Sequence, residues 1–167
     1  SEEILERTSD SYRRIRNTVR FLISNLNDFD YQKDNLNSSE FTEIDKWIIS
    51  EAIKLHEEIQ ELNDNYAYHH VIQKIHNFCV HELGGVYLDI IKDRMYVTKS
   101  NSNARRSAQF ALFEVADILI RLISPVLVFT AEEIWQSHEL FKKQSVSIFT
   151  APQKTLSEIE SSISDED

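Results

Sequence analysis

Two groups of basic side chains are the residues of this chain best suited to binding chemistry. One group lies near the N-terminus and consists of Arg7, Arg13, Arg14, Arg16 and Arg20. The other surrounds the aromatic Tyr96 and consists of Lys92, Arg94, Lys99, Arg105 and Arg106. Guanidinium and ammonium groups form strong charge-assisted hydrogen bonds with phosphate oxygens, so both groups indicate anion binding.

The spacing and local charge of these groups bear on that prediction. Arg13, Arg16 and Arg20 recur at 3- and 4-residue intervals, which places them on one flank of a helix. From Lys92 to Arg106 there are five basic residues and one acidic residue, which gives this stretch a charge of +4. The alternative is that these arginines pair with acids on neighbouring helices, and charge alone favours that alternative.

The sequence lacks the common catalytic patterns. None of the six histidines follows a glutamate by three residues, and no two are spaced His-x-x-x-His. The only two glycines are adjacent, which excludes a glycine-rich phosphate loop, and Gly-x-Ser-x-Gly is absent. The single cysteine, Cys79, lies in an apolar helical row, which indicates packing rather than nucleophilic catalysis. We therefore expect no catalytic residue and no metal site in this chain.

Composition predicts a globular, helical domain. Apolar residues make up 41% and charged residues 28% of the 167 residues, and only two Gly and two Pro occur. So few turn-forming residues favour a small number of long helices. The net charge of −10 disfavours tight binding of a polyanion by this chain alone. No apolar run is long enough to span a membrane and no signal-peptide pattern opens the chain, so we expect a cytoplasmic protein without a membrane partner.

Apolar periodicity predicts an all-α fold, namely an antiparallel bundle of four long helices followed by one short C-terminal helix. The first helix is expected to end near residue 26. The second, third and fourth are expected at about 40–63, 66–96 and 104–124. The short helix is predicted to open with a Thr130-x-x-Glu133 capping box.

The third helix is the expected centre of the bundle, because a second apolar row widens its buried face. Gly84-Gly85 interrupts it and is expected to kink it or to let a neighbouring backbone approach. Its main row consists of Tyr68, Ile72, Ile75, Cys79, Leu83, Val86 and Ile90. We assign residues 1–141 to the bundle and residues 142–167 to a poorly determined, acidic C-terminal segment.

Several stretches, in chain order, resemble one known family. The first runs from Arg7 to Leu22 and contains Ser-Tyr-Arg-Arg-Ile-Arg-Asn-Thr-Val-Arg-Phe. The later ones are Ile44-Asp45-Lys46-Trp47, Tyr87-Leu88-Asp89-Ile90-Ile91-Lys92-Asp93-Arg94, Ala104-Arg105-Arg106-Ser107-Ala108-Gln109 and Phe129-Thr130-Ala131-Glu132-Glu133-Ile134-Trp135. Together they resemble the anticodon-binding domain of isoleucyl-tRNA synthetases, a class I family. The last stretch also resembles the valine and leucine enzymes.

The resemblance implies a tRNA-binding role. In that family the helical domain grips the anticodon stem-loop of tRNA(Ile), while other domains of the synthetase perform ATP-dependent aminoacylation and editing. It implies no cofactor in this chain; the parent enzyme is expected to use ATP and Mg, often with Zn in a separate domain. The candidate tRNA contacts are Arg13, Arg16, Lys92, Arg94, Tyr96, Arg105 and Arg106.

The sequence leaves two other classes of function open. A helical protein-interaction domain with acidic docking faces would explain the acidic composition but not the ordered series of motifs. A metal-dependent bundle enzyme is the third class, and the histidine spacing disfavours it.

Overall fold

The computed structural model describes residues 2–34, 36–62, 68–97 and 102–151. Seven α-helices lie in these ranges, together with a short 3-10 helix at Ser38–Glu40 and a π-helical segment at Cys79–Tyr87. The α-helices are α1 (Glu2–Ser24), α2 (Glu43–Glu61), α3 (Tyr68–Phe78), α4 (Leu88–Val97), α5 (Asn103–Ile123), α6 (Val128–Gln136) and α7 (Glu139–Lys142). These ranges contain no strand, and the predicted all-α class is confirmed.

Contacts between the helices confirm that they alternate in direction. The helix α3, the π-helical segment and α4 follow one another without a break, and together they form the third rod, residues 68–97. Lys74 near its start lies 3.4 Å from Glu58 near the end of α2, whereas Tyr87 contacts Asp45 near the start of α2. Asp45 also accepts a hydrogen bond from Ser107, so α2 and α5 begin at the same end of the bundle.

The central helix is α5, and the prediction that the third helix occupies the centre is wrong. Every residue from Arg106 to Ile123 except Arg121 is buried, and α2 packs along α5 most extensively. The α5 sequence contains Gln109, Glu114 and Asp117, polar residues that suggest an outward face. Each of them is instead buried and takes part in polar interactions, so α5 is covered on all sides.

The π-helical segment contains the two adjacent glycines. At its end the Leu88 N–H donates to the Leu83 carbonyl, five residues back, which is the π-helical pattern. A β-carbon at Gly84 would stand only 3.0 Å from the Cys79 carbonyl oxygen, so this backbone fits tightly around a residue without a side chain. The glycines therefore widen the helix here and do not break it.

This segment changes which residues of the third rod face the core. Val86 and Ile90, predicted to be buried, are exposed, whereas Tyr87, Ile91 and Met95 are buried. The buried positions recur every four residues from 79 to 95. In an α-helix each step of four overshoots a full turn by about 40°, so four steps would turn the side chains away from the core. The wider π turns absorb this rotation and keep the buried row in place.

Helix ends and the C-terminal segment differ in part from prediction. The helix α6 begins at Val128, so Thr130 lies inside its first turn and the predicted capping box is wrong. After α7 the chain folds back onto α6: Trp135 Nε1 donates to the Ser145 carbonyl at 3.0 Å, and Ile148 is buried. The bundle contacts thus continue to residue 151, and the predicted acidic segment lies largely outside the described residues.

Candidate nucleic-acid interface

The arginines of α1 divide between two flanks of the helix. Arg16 and Arg20 both approach one carboxylate of α6, Glu133, with Arg16 at 3.9 Å and Arg20 in direct contact. Arg13 is 67% exposed and lies 3.4 Å from Asp10, three residues earlier on the same helix. Two guanidinium groups sharing one carboxylate leave a net positive charge on this flank. The predicted common flank of Arg13, Arg16 and Arg20 is therefore exposed in part and faces α6 in part.

Arg14 lies on the opposite flank, beside the π-helical segment. Its guanidinium nitrogen is 3.9 Å from the point where a side chain on Gly84 would begin. The residue is exposed, and in the described part of the chain it makes no ion pair. The positively charged guanidinium of Arg14 therefore lies beside the helix surface at Gly84.

Lys92 and Tyr96 form an exposed stripe on α4. They are four residues apart, so they lie on the same face of the helix, and the Tyr96 side chain is 75% exposed. Val86 and Ile90 lie exposed nearby along the same rod. An exposed aromatic ring beside a cation and apolar side chains can stack on a base while the cation binds phosphate.

Arg94, between those two residues, points inward. Its guanidinium donates to Asp45 at 2.8 Å and to the Thr42 hydroxyl at 3.3 Å, and its side chain is only 17% exposed. It also reaches the Ala104 carbonyl at 3.5 Å. Arg94 therefore ties α4 to the starts of α2 and α5.

Asp45 is the fully buried carboxylate that receives Arg94. Hydroxyl groups donate to it from Thr42 at 2.5 Å, from Ser107 at 2.5 Å and from Tyr87 at 2.6 Å. Burial raises the pKa of Tyr87 well above its ordinary value, and the Asp45 carboxylate raises it further. Tyr87 is therefore a neutral donor at any physiological pH. Each hydrogen bond to Asp45 offsets part of the free-energy cost of burying its carboxylate.

Arg105 and Arg106, at the start of α5, converge on the loop after α1. Arg105 donates to both oxygens of Asp28 at 3.1 Å and to the Met95 carbonyl. Arg106 donates to the Asp28 carbonyl at 2.6 Å and lies 3.4 Å from Asp34. Their side chains are 17% and 11% exposed. Through these contacts the two guanidinium groups hold the loop against α4 and α5.

Asp28 shows the electrostatic effect of this arrangement. Partial burial raises its pKa, but hydrogen bonds from Gln109 and Arg105 lower it more, and the result is below the ordinary value. The carboxylate is therefore charged at neutral pH and offsets part of the positive charge of the arginine group.

The structure thus separates the seven predicted contact residues into two sets. Arg13, Arg16, Lys92 and Tyr96 present exposed or half-exposed side chains, whereas Arg94, Arg105 and Arg106 are bound to acids and carbonyls of the same chain. Lys99, in the second basic group, lies outside the described residues. Contact of any of the seven with tRNA stays a prediction.

Sequence reasoning missed the acids that bind the inward-facing arginines. Asp45 carried a usable signal: it precedes Ile48, Ile49 and Ala52 at the spacing of one helical face, and that face is apolar. A carboxylate on an apolar face is expected to be buried and paired. Asp28 and Asp34 carry no such signal, because they lie in a polar loop where any acid would look solvated.

Metal binding and thiol chemistry find no support in the described ranges. There, no three His, Cys, Asp or Glu residues are arranged to hold a metal ion. Burial raises the pKa of the Cys79 thiol to about 12, so it stays protonated at neutral pH. No helix within these ranges is long and apolar enough to cross a membrane.

The helical bundle and its motifs agree with a family comparison. The family described as the anticodon-binding domain of tRNA ligase matches residues 45–166, so the chain belongs to that family.

Individual relatives show which kind of tRNA ligase the chain resembles. The chain is 53% identical over 150 residues to the isoleucine–tRNA ligase of Pseudomonas paraeruginosa strain PA7. It is 50% identical over 151 residues to that of Saccharophagus degradans and 49% identical over 150 residues to that of Azotobacter vinelandii. Each alignment covers 90% of this chain and 16% of the relative. The chain therefore spans about one sixth of the length of these curated relatives.

Proposed function

We propose that this chain binds the anticodon stem-loop of tRNA(Ile) and positions the tRNA for charging by the remaining domains of an isoleucine–tRNA ligase. The observation that carries the proposal is the 53% identity to such a ligase over 90% of the chain. The parent enzyme would act in the cytoplasm with ATP and Mg, and a Zn site, where present, would belong to another domain. This chain would contribute placement and no chemistry.

The exposed side chains make different kinds of contact with the tRNA. Lys92 binds a backbone phosphate and Tyr96 stacks on an unpaired base of the loop. Arg13 and Arg16 neutralise phosphates along the stem. Arg94, Arg105 and Arg106 contribute chiefly by fixing the end of the bundle that presents Lys92 and Tyr96, because their guanidinium groups already bind Asp45 and the loop after α1.

Charge sets the expected strength and salt dependence of binding. Three exposed or half-exposed cations, namely Arg13, Arg16 and Lys92, neutralise about three phosphates. The logarithm of affinity should then fall with the logarithm of salt concentration with a slope of about −2 to −3. Because the chain carries a net charge of −10, we expect weak binding that is measurable only at low salt.

Fluorescence anisotropy with labelled tRNA(Ile) transcript tests the proposal. Changing Lys92 and Tyr96 together to Ala should weaken binding about 10- to 100-fold, since one stacked base alone contributes about 1–3 kcal/mol. The matched control changes Lys54 and Tyr68 to Ala, a lysine 64% exposed and a tyrosine 67% exposed on other helices. The control should bind like the unmodified chain.

Two results would overturn the proposed function. One is equal affinity of both double variants, which would place no binding energy on the Lys92–Tyr96 stripe. The other is the absence of tRNA binding at low salt with retained helical structure. That second result would favour the alternative of a protein-interaction domain with acidic docking faces.

A further inference from the structure

The buried carboxylate of Asp45 collects donors from four parts of the chain. Thr42 precedes α2, Tyr87 ends the π-helical segment, Arg94 lies on α4 and Ser107 lies on α5. All four donate to Asp45 over distances of 2.5–2.8 Å, and Asp45 itself is 0% exposed. Asp45 thereby joins α2, the π-helical segment, α4 and α5 through one carboxylate.

Stability alone is a weak explanation for such a group. A buried ion pair gives little net stability compared with apolar side chains of the same volume, because both charges lose their hydration. The best-attested use of a buried polar group is to fix one register among several. In this chain the polar group fixes how α4 is rotated about its own axis. The helix has ten residues and follows a π-helical segment.

The geometry connects this register to the exposed stripe. Arg94 lies between Lys92 and Tyr96, and residues two apart on a helix point about 200° apart around its axis. With Arg94 held at Asp45, both Lys92 and Tyr96 therefore point to solvent. The π-helical segment acts in the same sense, because it turns Tyr87 inward to the other oxygen of Asp45.

We propose that Asp45, acting through Arg94 and Tyr87, is the positioning residue that sets the orientation of the Lys92–Tyr96 stripe toward RNA. The inference rests on the proposed function. Asp45 touches no RNA itself, so its effect on binding must pass through the exposed residues of α4. That requirement separates positioning from a purely structural role.

The chain offers a matched control in a second buried carboxylate. Asp117 of α5 is also 0% exposed and pairs with Arg121 at 2.9 Å and Gln144 at 3.0 Å. Arg121 lies on α5, and Gln144 lies in the segment after α7. Asp117→Asn should therefore lower the thermal stability much as Asp45→Asn does, while α4 stays in place.

The test is a double-mutant cycle for tRNA(Ile) binding, at a temperature where each variant is folded by circular dichroism. Asp45→Asn should weaken binding about 5- to 30-fold, Tyr87→Phe by less, and Asp117→Asn by less than about 2-fold. In the Lys92→Ala/Tyr96→Ala background, Asp45→Asn should have no further effect, because the residues that it positions are gone. A purely structural role would give the same fold-change in both backgrounds.

Each outcome has one meaning. Unchanged affinity of folded Asp45→Asn, or the same loss in both backgrounds, overturns this inference and leaves the proposed function intact. If the unmodified chain does not bind tRNA, or if the Lys92→Ala/Tyr96→Ala variant binds as tightly as the unmodified chain, the proposed function fails and this inference with it. Should Asp45→Asn not fold, Tyr87→Phe, which removes one oxygen atom, carries the same cycle.

Discussion

Arg106 combines the appearance of an RNA-binding residue with the contacts of a scaffold residue, so its removal is informative. Its guanidinium donates to the Asp28 carbonyl at 2.6 Å and to Gln109 at 2.8 Å, and it lies 3.4 Å from the Asp34 carboxylate. Arg106→Ala would leave these acceptors without their cation. We expect loss of stability as its main effect.

The magnitude follows from burial. Breaking a fully buried ion pair costs about 3–5 kcal/mol, whereas exposed pairs contribute at most about 1 kcal/mol. Arg106 is 11% exposed, but the Asp34 and Asp28 side chains are 21% and 42% exposed, so solvent screens part of the interaction. We therefore expect a loss of about 2–3 kcal/mol, which for a chain of this size corresponds to a fall in Tm of about 4–12 °C.

Thermal unfolding followed by circular dichroism measures this loss. Arg13→Ala is the matched control, because Arg13 is largely exposed and its ion pair with Asp10 is exposed too. It should change the free energy of unfolding by less than about 0.5 kcal/mol. If Arg106→Ala were as stable as Arg13→Ala, the assignment of Arg106 to the scaffold would be refuted.

Three further expectations concern other parts of the bundle. The pKa of Asp28 is lowered on folding, so the stabilisation from its carboxylate is present at neutral pH and is lost as the pH falls from the ordinary value of 3.8 through the lower pKa of the folded chain. The free energy of unfolding, measured in urea, should therefore fall less steeply with decreasing pH in Asp28→Asn than in the unmodified chain. Gly84→Ala should destabilise the chain by about 1–2 kcal/mol in urea, because the new β-carbon meets the Cys79 carbonyl at 3.0 Å, and a gain in stability would contradict the tight fit. The Cys79 thiol is buried and its pKa is raised to about 12, so at pH 8 it should react with a thiol reagent at least about 100-fold more slowly in the folded chain than in urea. Equal reaction rates would show that the thiol is accessible in the folded chain.

The helices were predictable because their apolar residues recur at helical spacing over long stretches. The face of the third rod was not, since a period of 3.6 placed Val86 and Ile90 inward. The π-helical segment changes the period locally, and the sequence marks it only by Gly84-Gly85. The same pair of glycines would equally suit a kink, so its structural consequence required coordinates.

The site was predictable only in part, for a different reason. Residue type predicts that an arginine can bind phosphate, but it does not say whether an acid of the same chain already binds that arginine. Arg105 and Arg106 are bound by Asp28, which is 77 and 78 residues away in sequence. Such pairings depend on how the ends of the helices meet, and helical periodicity carries no information about that.

Site-specific photocrosslinking tests the central claim, that the exposed stripe of α4 contacts tRNA, most directly. A photoreactive p-benzoyl-phenylalanine at position 96 should crosslink to tRNA(Ile), and excess unlabelled tRNA(Ile) should suppress the product. The same group at position 68, where another exposed tyrosine lies at the start of α3, should give little product. Equal crosslinking at both positions, or none at position 96 while tRNA is bound, would contradict the account.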